Sequence, residues 1–205
     1  AISAIDLVVV NLYPFRETIA KEGVDINEAL ENIDIGGPTM LRAAAKNFPD
    51  VIVVVDPNDY QSVIDNLRKE GDLTFNTRKA LARKAFQHVA LYDTAVSSYL
   101  GKEEESLFPQ ELTIGLEKLY DLRYGENPHQ QAALYSLSAQ ATGKPSGLSG
   151  AIQLHGKELS YNNLMDADGA WMTASDFAEP AVAVIKHTNP CGLAIHKDPA
   201  EAYRR

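Results

Sequence analysis

The sequence predicts an α/β fold that begins as an open parallel sheet, and three observations carry that expectation. Asp6-Leu7-Val8-Val9-Val10-Asn11 and Val51-Ile52-Val53-Val54-Val55 are short, continuous, β-branched runs, the mark of strands buried on both faces. Helix-forming stretches follow each of them, and strand-helix-strand-helix order implies parallel pairing through right-handed crossovers. A further apolar strand, Ala181-Val182-Ala183-Val184-Ile185, stands well downstream in its own segment.

The first strand ends in the turn-prone Leu12-Tyr13-Pro14-Phe15. Asp25 suits the N-cap of a helix through Ala29 and Leu30, which Asp34-Ile35-Gly36-Gly37 breaks. Pro38 suits the first position of a second helix that runs to Lys46 and closes at Asn47. After Asp56-Pro57 a helix extends toward Lys69 and Gly71. From about Thr77 to Tyr99, Leu81, Ala85, Val89, Tyr92 and Val96 recur at three- and four-residue steps, so this long helix packs one face. Residues 101–115, with Lys102-Glu103-Glu104-Glu105 and Pro109, have linker composition, and residues 1–100 and 116–205 are expected as separate domains. A small-residue loop around Gly143 to Gly150, a helix from Ala167 to Phe177 and the strand ending at Ile185 complete the second part.

Composition restricts the function classes. The chain has 205 residues, 45% hydrophobic and 23% charged, enough to bury a real core. No apolar run approaches the roughly 20 residues that span a bilayer, and no basic-then-apolar leader opens the chain. A single cysteine, Cys191, cannot form an internal disulfide, and the default compartment is cytoplasmic. The net charge of -9 argues against nucleic acid as a partner, because that affinity rests on clustered Lys and Arg. An opening residue other than Met and a helix-like start at Asp198-Pro199-Ala200-Glu201 lead to the expectation that the chain is an internal fragment.

Ligands of open parallel sheets bind beyond the carboxyl ends of strands, which singles out Asn11-Leu12-Tyr13, Asp56 and Lys186-His187. Gly36-Gly37-Pro38-Thr39 offers backbone N–H groups at a helix N-terminus, suited to an anion, although two glycines equally permit a tight turn. Tyr13 as a packing residue, Asp34 as a cap and Lys46 as a helix-end cation are the plain alternatives to a joint site of phenol, acid and cation that moves protons. Lys186 and His187 end an apolar strand, where polar groups equally serve solvation. For both to serve one site the backbone must turn, and Asn189-Pro190 and Gly192 supply turn chemistry. Arg123-Tyr124 with Asn127 and His129 joins an anion fork, an aromatic platform and hydrogen-bonding groups, suited to a phosphorylated aromatic ligand or else to an ion-paired surface loop.

Six motifs in order then carry a resemblance: Asn11-Leu12-Tyr13-Pro14-Phe15, Glu31-Asn32-Ile33-Asp34-Ile35-Gly36-Gly37, Arg42-Ala43-Ala44-Ala45-Lys46-Asn47, Leu122-Arg123-Tyr124-Gly125-Glu126-Asn127-Pro128-His129-Gln130, Leu159-Ser160-Tyr161-Asn162-Asn163 and Lys186-His187-Thr188-Asn189-Pro190-Cys191-Gly192. Together they resemble the bifunctional AICAR transformylase/IMP cyclohydrolase family over nearly the whole chain. The resemblance implies the later part of a cyclohydrolase domain followed by the opening of a cytidine-deaminase-like α/β transformylase domain. It implies that Tyr13, Asp34 and Lys46 line the cyclohydrolase pocket, with backbone near Asn11, Ile35 and Gly36 holding the base-like moiety. It places Lys186 and His187 at formyl transfer, and Arg123, Tyr124 and His129 at substrate binding. It further implies AICAR, formyl-AICAR and IMP as ligands, 10-formyltetrahydrofolate as cosubstrate, no metal within this chain and a homodimer.

Two rival readings stand beside it. Pro190-Cys191 resembles half of a zinc-deaminase signature, but Ala194 occupies the second cysteine position and His187-Thr188-Asn189 lacks the glutamate. A non-catalytic nucleotide-binding or interface module is the other.

Overall fold

The computed structural model describes residues 3–103, 108–138 and 147–205. Part of the expected linker and of the small-residue loop, residues 104–107 and 143–146, lies outside them. The chain is a mixed α/β protein of small two-stranded sheets and helices, and it divides into two compact units, Ala1–Leu116 with Leu137–Gly143, and Glu117–Ser136 with Lys144–Arg205.

In the first unit β1 (Leu7–Val9) is followed by α1 (Phe15–Ile19), α2 (Ile26–Glu31), α3 (Gly36–Lys46), β2 (Ile52–Val54), α4 (Tyr60–Glu70) and α5 (Phe75–Leu100). The two strands pair in parallel, with Leu7, Val8 and Val9 opposite Ile52, Val53 and Val54. Alternation along β2 feeds two cores. Val53 and Val55 pack with Leu41, Ala44, Ala45, Ala82, Ala85 and Val89 from α3 and α5, whereas Ile52 and Val54 pack with Val63, Leu73 and Leu81. Each fully buried aliphatic side chain of this kind stabilises the fold by about 1.5–3 kcal/mol. β2 therefore matches the expectation of burial on both faces, but β1 does not. Val8 and Val10 pack on the core while Leu7 and Val9 are exposed.

Helix ends follow their caps. Asp25 accepts the Glu28 N–H at 2.8 Å, Thr74 accepts the Thr77 N–H, and Gly71 closes α4 at φ 75°, a conformation that favours glycine. α3 departs from expectation, since it starts at Gly36 and takes both glycines into its first turn. The turn-prone segment after β1 leads directly into α1. Its Phe15 is fully buried against Tyr92 and Tyr99 of α5, with ring centroids 6.1 and 5.8 Å away. The predicted face of the long helix is buried at Leu81, Ala85, Val89 and Tyr92.

Apart from the end residues Leu116 and Leu137, the second unit contains β3 (Leu116–Asp121) and β4 (Ala133–Leu137), together with α6 (Tyr161–Ser175), β5 (Ala181–Lys186), β6 (Asn189–Ile195) and α7 (Pro199–Arg204). β3 and β4 form one sheet, and β5 and β6 an antiparallel hairpin. α6 begins six residues before the expected Ala167, because Ser160 and Asn163 form a reciprocal capping box. The segment from Asn189 to Gly192, expected to turn, is strand: Lys186 pairs with Asn189, so His187-Thr188 is the two-residue hairpin loop. Pro190 lacks an N–H for the ladder, and an irregular register between Val184 and Ile185 takes it up, Val184 facing Gly192 and Ile185 facing Pro190.

Phe15→Ala is expected to lower the unfolding free energy of the first unit by about 3–5 kcal/mol, as for large-to-small aromatic changes in a closed core. Urea denaturation followed by far-UV circular dichroism measures it.

Candidate functional site

Tyr13 and Asp34 meet at the N-terminal end of α3. The Asp34 carboxylate accepts the Gly37 N–H through Oδ1 at 2.7 Å and the Tyr13 N–H through Oδ2 at 3.4 Å. A Cβ at Gly37 would stand 2.5 Å from Asp34 Oδ2 and 2.6 Å from Leu12 Cδ2, so only glycine lets the carboxylate close over the helix start. The positive end of α3 thus already faces one carboxylate. Gly36 is exposed with open space where a Cβ would be, and the Ile35 side chain is 74% exposed at the same rim.

The backbone of Asp34 is held from below. Its N–H donates to Tyr92 Oη at 2.7 Å, and that hydroxyl donates to the Asn32 carbonyl at 3.1 Å. Burial raises the Tyr92 hydroxyl pKa above its ordinary value, while the Asp34 N–H acts in the opposite direction. Periodicity marks Tyr92 only as a packing residue; its polar role depends on a partner 58 residues away.

The other strand-end candidates of this unit have structural partners. Asn11 accepts from Tyr60 Oη at 2.7 Å and donates to the Val55 carbonyl at 3.3 Å, tying the end of β1 to β2 and α4. Asp56 is bridged by Lys84, whose Nζ lies 2.6 Å from Asp56 and 2.7 Å from Asp59. The Lys84 hydrogen bond, then the Asn58 N–H, hold the Asp56 carboxyl below its ordinary value; burial alone would lower Lys84, but its two carboxylate partners outweigh that and raise it. Lys46 is exposed in the last turn of α3. At 1.5 Å per residue it sits roughly 15 Å along the helix from Gly36, so α3 separates it from Tyr13 and Asp34.

In the second unit, Arg123 and Tyr124 stack on each other, the guanidinium carbon 4.9 Å from the ring centroid. The Ser160 side chain and then the Arg123 guanidinium hydrogen-bond the Tyr124 phenol and hold its pKa below the ordinary value. The same two residues grip the start of α6: the Arg123 N–H donates to the Leu159 carbonyl at 2.9 Å, and the Tyr161 N–H donates to the Tyr124 carbonyl at 3.1 Å. Asn127 and Gln130 close the loop on themselves, and Asn162 donates to the Glu126 carbonyl. Gly125, Glu126, Gln130, Gln131, Ala132 and Tyr161 line an open depression of about 490 Å³ beside this clamp. His129 is exposed on the loop.

Lys186 and His187 are exposed at the hairpin tip. His187 at φ 53° and Thr188 at φ 63° both occupy the left-handed region. Such a turn matches the twist of a two-residue hairpin but favours Asn and Gly, and for other residues it costs roughly 1–2 kcal/mol each. Asp166 of α6 meets part of that cost, its Oδ1 accepting the Thr188 N–H at 2.8 Å. The His187 carbonyl accepts from the Thr188 hydroxyl at 2.6 Å and from the Asn189 amide at 2.7 Å. α6 is therefore gripped at Ser160 by Arg123-Tyr124 and bound at Asp166 to the His187 turn, points roughly 9 Å apart in helix rise. The Cys191 thiol donates to the Val184 carbonyl, and no group of three or more His, Cys, Asp and Glu suited to a metal ion occurs among the described residues.

The sequence profile described as AICARFT/IMPCHase bienzyme matches residues 44–205, and one described as MGS-like domain matches residues 2–39. The chain belongs to the AICARFT/IMPCHase bienzyme family. Curated relatives named bifunctional purine biosynthesis protein PurH are 51% identical over 203 residues in Acetivibrio thermocellus, 53% over 204 in Bacillus mycoides and 52% over 202 in Listeria welshimeri. These alignments cover 98%, 100% and 98% of this chain and 39% of each relative. The seam between the two matched profiles falls inside α3, within one compact unit.

Tyr92→Phe leaves the Asp34 N–H and Asn32 carbonyl without their partner and is expected to cost about 1–3 kcal/mol, read by urea denaturation. Lys84→Met is expected to raise the Asp56 carboxyl toward its ordinary value, although the Asn58 N–H still holds it down, read by carboxyl NMR titration. A depressed folded pKa contributes stability at pH above the unfolded value that is lost as pH falls through the folded one. The variant's acid-unfolding curve should therefore lose the part of its slope that Asp56 supplies below about pH 4.

Proposed function

We propose that this chain carries parts of two active sites of de novo purine synthesis, one in each unit. The first belongs to ring closure of formyl-AICAR to IMP, the second to formyl transfer from 10-formyltetrahydrofolate to AICAR. On this reading residues 1–100 are the later part of an open-sheet cyclohydrolase domain, residues 101–115 a linker, and residues 116–205 the opening of a cytidine-deaminase-like transformylase domain. The working protein is a cytoplasmic homodimer. The observation that carries the reading is that α6 holds an anion fork with an aromatic platform at its start and, two turns on, an exposed Lys-His pair in a strained turn.

Formyl transfer asks for activation of a poor nucleophile, since the 5-amino lone pair of AICAR is delocalised into the ring. The amine attacks the formyl carbon to give a tetrahedral oxyanion. The His187 imidazole takes the ammonium proton. The Lys186 ammonium stabilises the oxyanion and assists departure of the folate nitrogen, which leaves with a proton. Arg123 holds the phosphate, and Tyr124 and His129 orient the nucleotide.

Ring closure is intramolecular: the carboxamide nitrogen attacks the formyl carbon of the same molecule and water leaves. The protein's main contribution is then a near-attack conformer and proton handling. Asp34, fixed between the Tyr13 and Gly37 N–H groups, orients the attacking amide, and Tyr13 relays protons. Backbone at Asn11, Ile35 and Gly36 holds the base. Lys46 stabilises the developing oxyanion, and its distance along α3 requires either its long side chain or a second copy of the chain to bring it there.

In a polypeptide of the relatives' full length, His187→Ala should lower formyl-transfer kcat by about 10²–10⁴ while ring closure persists, and Tyr13→Phe should do the reverse. Separate assays of the two steps check this. Wild-type formyl transfer in His187→Ala would remove the second site, and unchanged ring closure in Tyr13→Phe would remove the phenol from the first.

A further inference from the structure

We infer that Asp166 is a positioning residue for formyl transfer, holding the His187-Thr188 turn in the left-handed geometry that presents His187; the inference rests on the reading of His187 as the general base.

Two adjacent residues that are neither glycine nor asparagine have positive φ, and Thr188 is β-branched, the kind that least tolerates it. A left-handed pair at such positions persists where surrounding groups over-determine it, and strain of this sort clusters where side chains must be aimed. The Asp166 carboxylate comes from a different element, 22 residues away, and takes the Thr188 N–H at 2.8 Å. One turn further along α6, Gly169 would carry a Cβ only 3.3 Å from the Thr188 carbonyl oxygen, closer than ordinary van der Waals contact. The helix thus approaches the turn closely through glycine and binds it through a carboxylate. Asp166 acts through the backbone and leaves the chemistry to Lys186 and His187.

If the carboxylate sets the turn, loss of its oxygen should lower kcat and spare substrate affinity, and a residue that adopts positive φ freely should make it dispensable. In the full-length polypeptide, Asp166→Ala is expected to lower formyl-transfer kcat on the order of tenfold, with KM values within about twofold and ring closure unchanged. Asp166→Asn, which keeps a carbonyl acceptor, should retain most activity. Thr188→Gly added to Asp166→Ala should restore most of the lost kcat, because glycine enters the left-handed region without strain. Should Asp166→Ala fail to fold, Asp166→Glu, which keeps the charge but displaces the oxygen by one methylene, carries the same expectation.

Wild-type kcat in Asp166→Ala alongside an inactive His187→Ala would overturn the inference while leaving the general base in place. A loss in Asp166→Ala that Thr188→Gly does not restore would overturn it too, since the carboxylate would then act other than through the turn. Full formyl transfer in His187→Ala would instead remove the reading beneath it.

Discussion

Burial of β2 on both faces is the constraint from which the first unit follows. Its three residues Ile52 to Val54 and the following Val55 are each at most 4% exposed, and their side chains alternate between a core under α3 and α5 and a second one toward α4. An extended segment so placed must satisfy its backbone polar groups within the protein, and the parallel ladder with β1 does that on one side. Because α5 contributes to both cores and its Tyr92 also packs with Phe15, one helix fixes where α1, α3 and β2 stand. The Asp34 corner inherits its precision from that packing through the Tyr92 hydroxyl.

The two candidate centres rest on different physics. At Asp34 a rigid helix start, a glycine and a buried phenol confine a carboxylate with little strain, an arrangement suited to holding a reactant in one conformer. At His187 the polar groups stand on an exposed hairpin tip whose backbone is unfavourable by itself and is held by a neighbouring helix. The first centre depends on packing, the second on directional hydrogen bonds from α6.

Much of the architecture was legible in local pattern. The period of α5, the cap at Asp25 and the buried run of β2 are all properties of neighbours in sequence, and the structure has them near the expected positions. Where expectation and structure part, two local signals compete. Gly36-Gly37 reads as a breaker, yet the pair opens α3, with Gly37 leaving the Asp34 carboxylate the space a side chain would fill. Asn189-Pro190 and Gly192 read as a turn, yet they lie in β6, because a register irregularity accommodates the proline and pairing of Lys186 with Asn189 leaves only His187 and Thr188 for the loop.

By itself the sequence determined the buried run of β2, the packed face of α5, which family the chain joins and which residue types stand at the strand ends, since these depend on periodicity and motif order along the chain. Tertiary structure alone decided that Tyr92 holds Asp34, that Lys84 occupies Asp56, that α3 separates Lys46 from Tyr13, and that Asp166 secures the His187 turn. Those are relations between residues tens of positions apart. Their physical content is a separation in space, and no spacing along the chain encodes it.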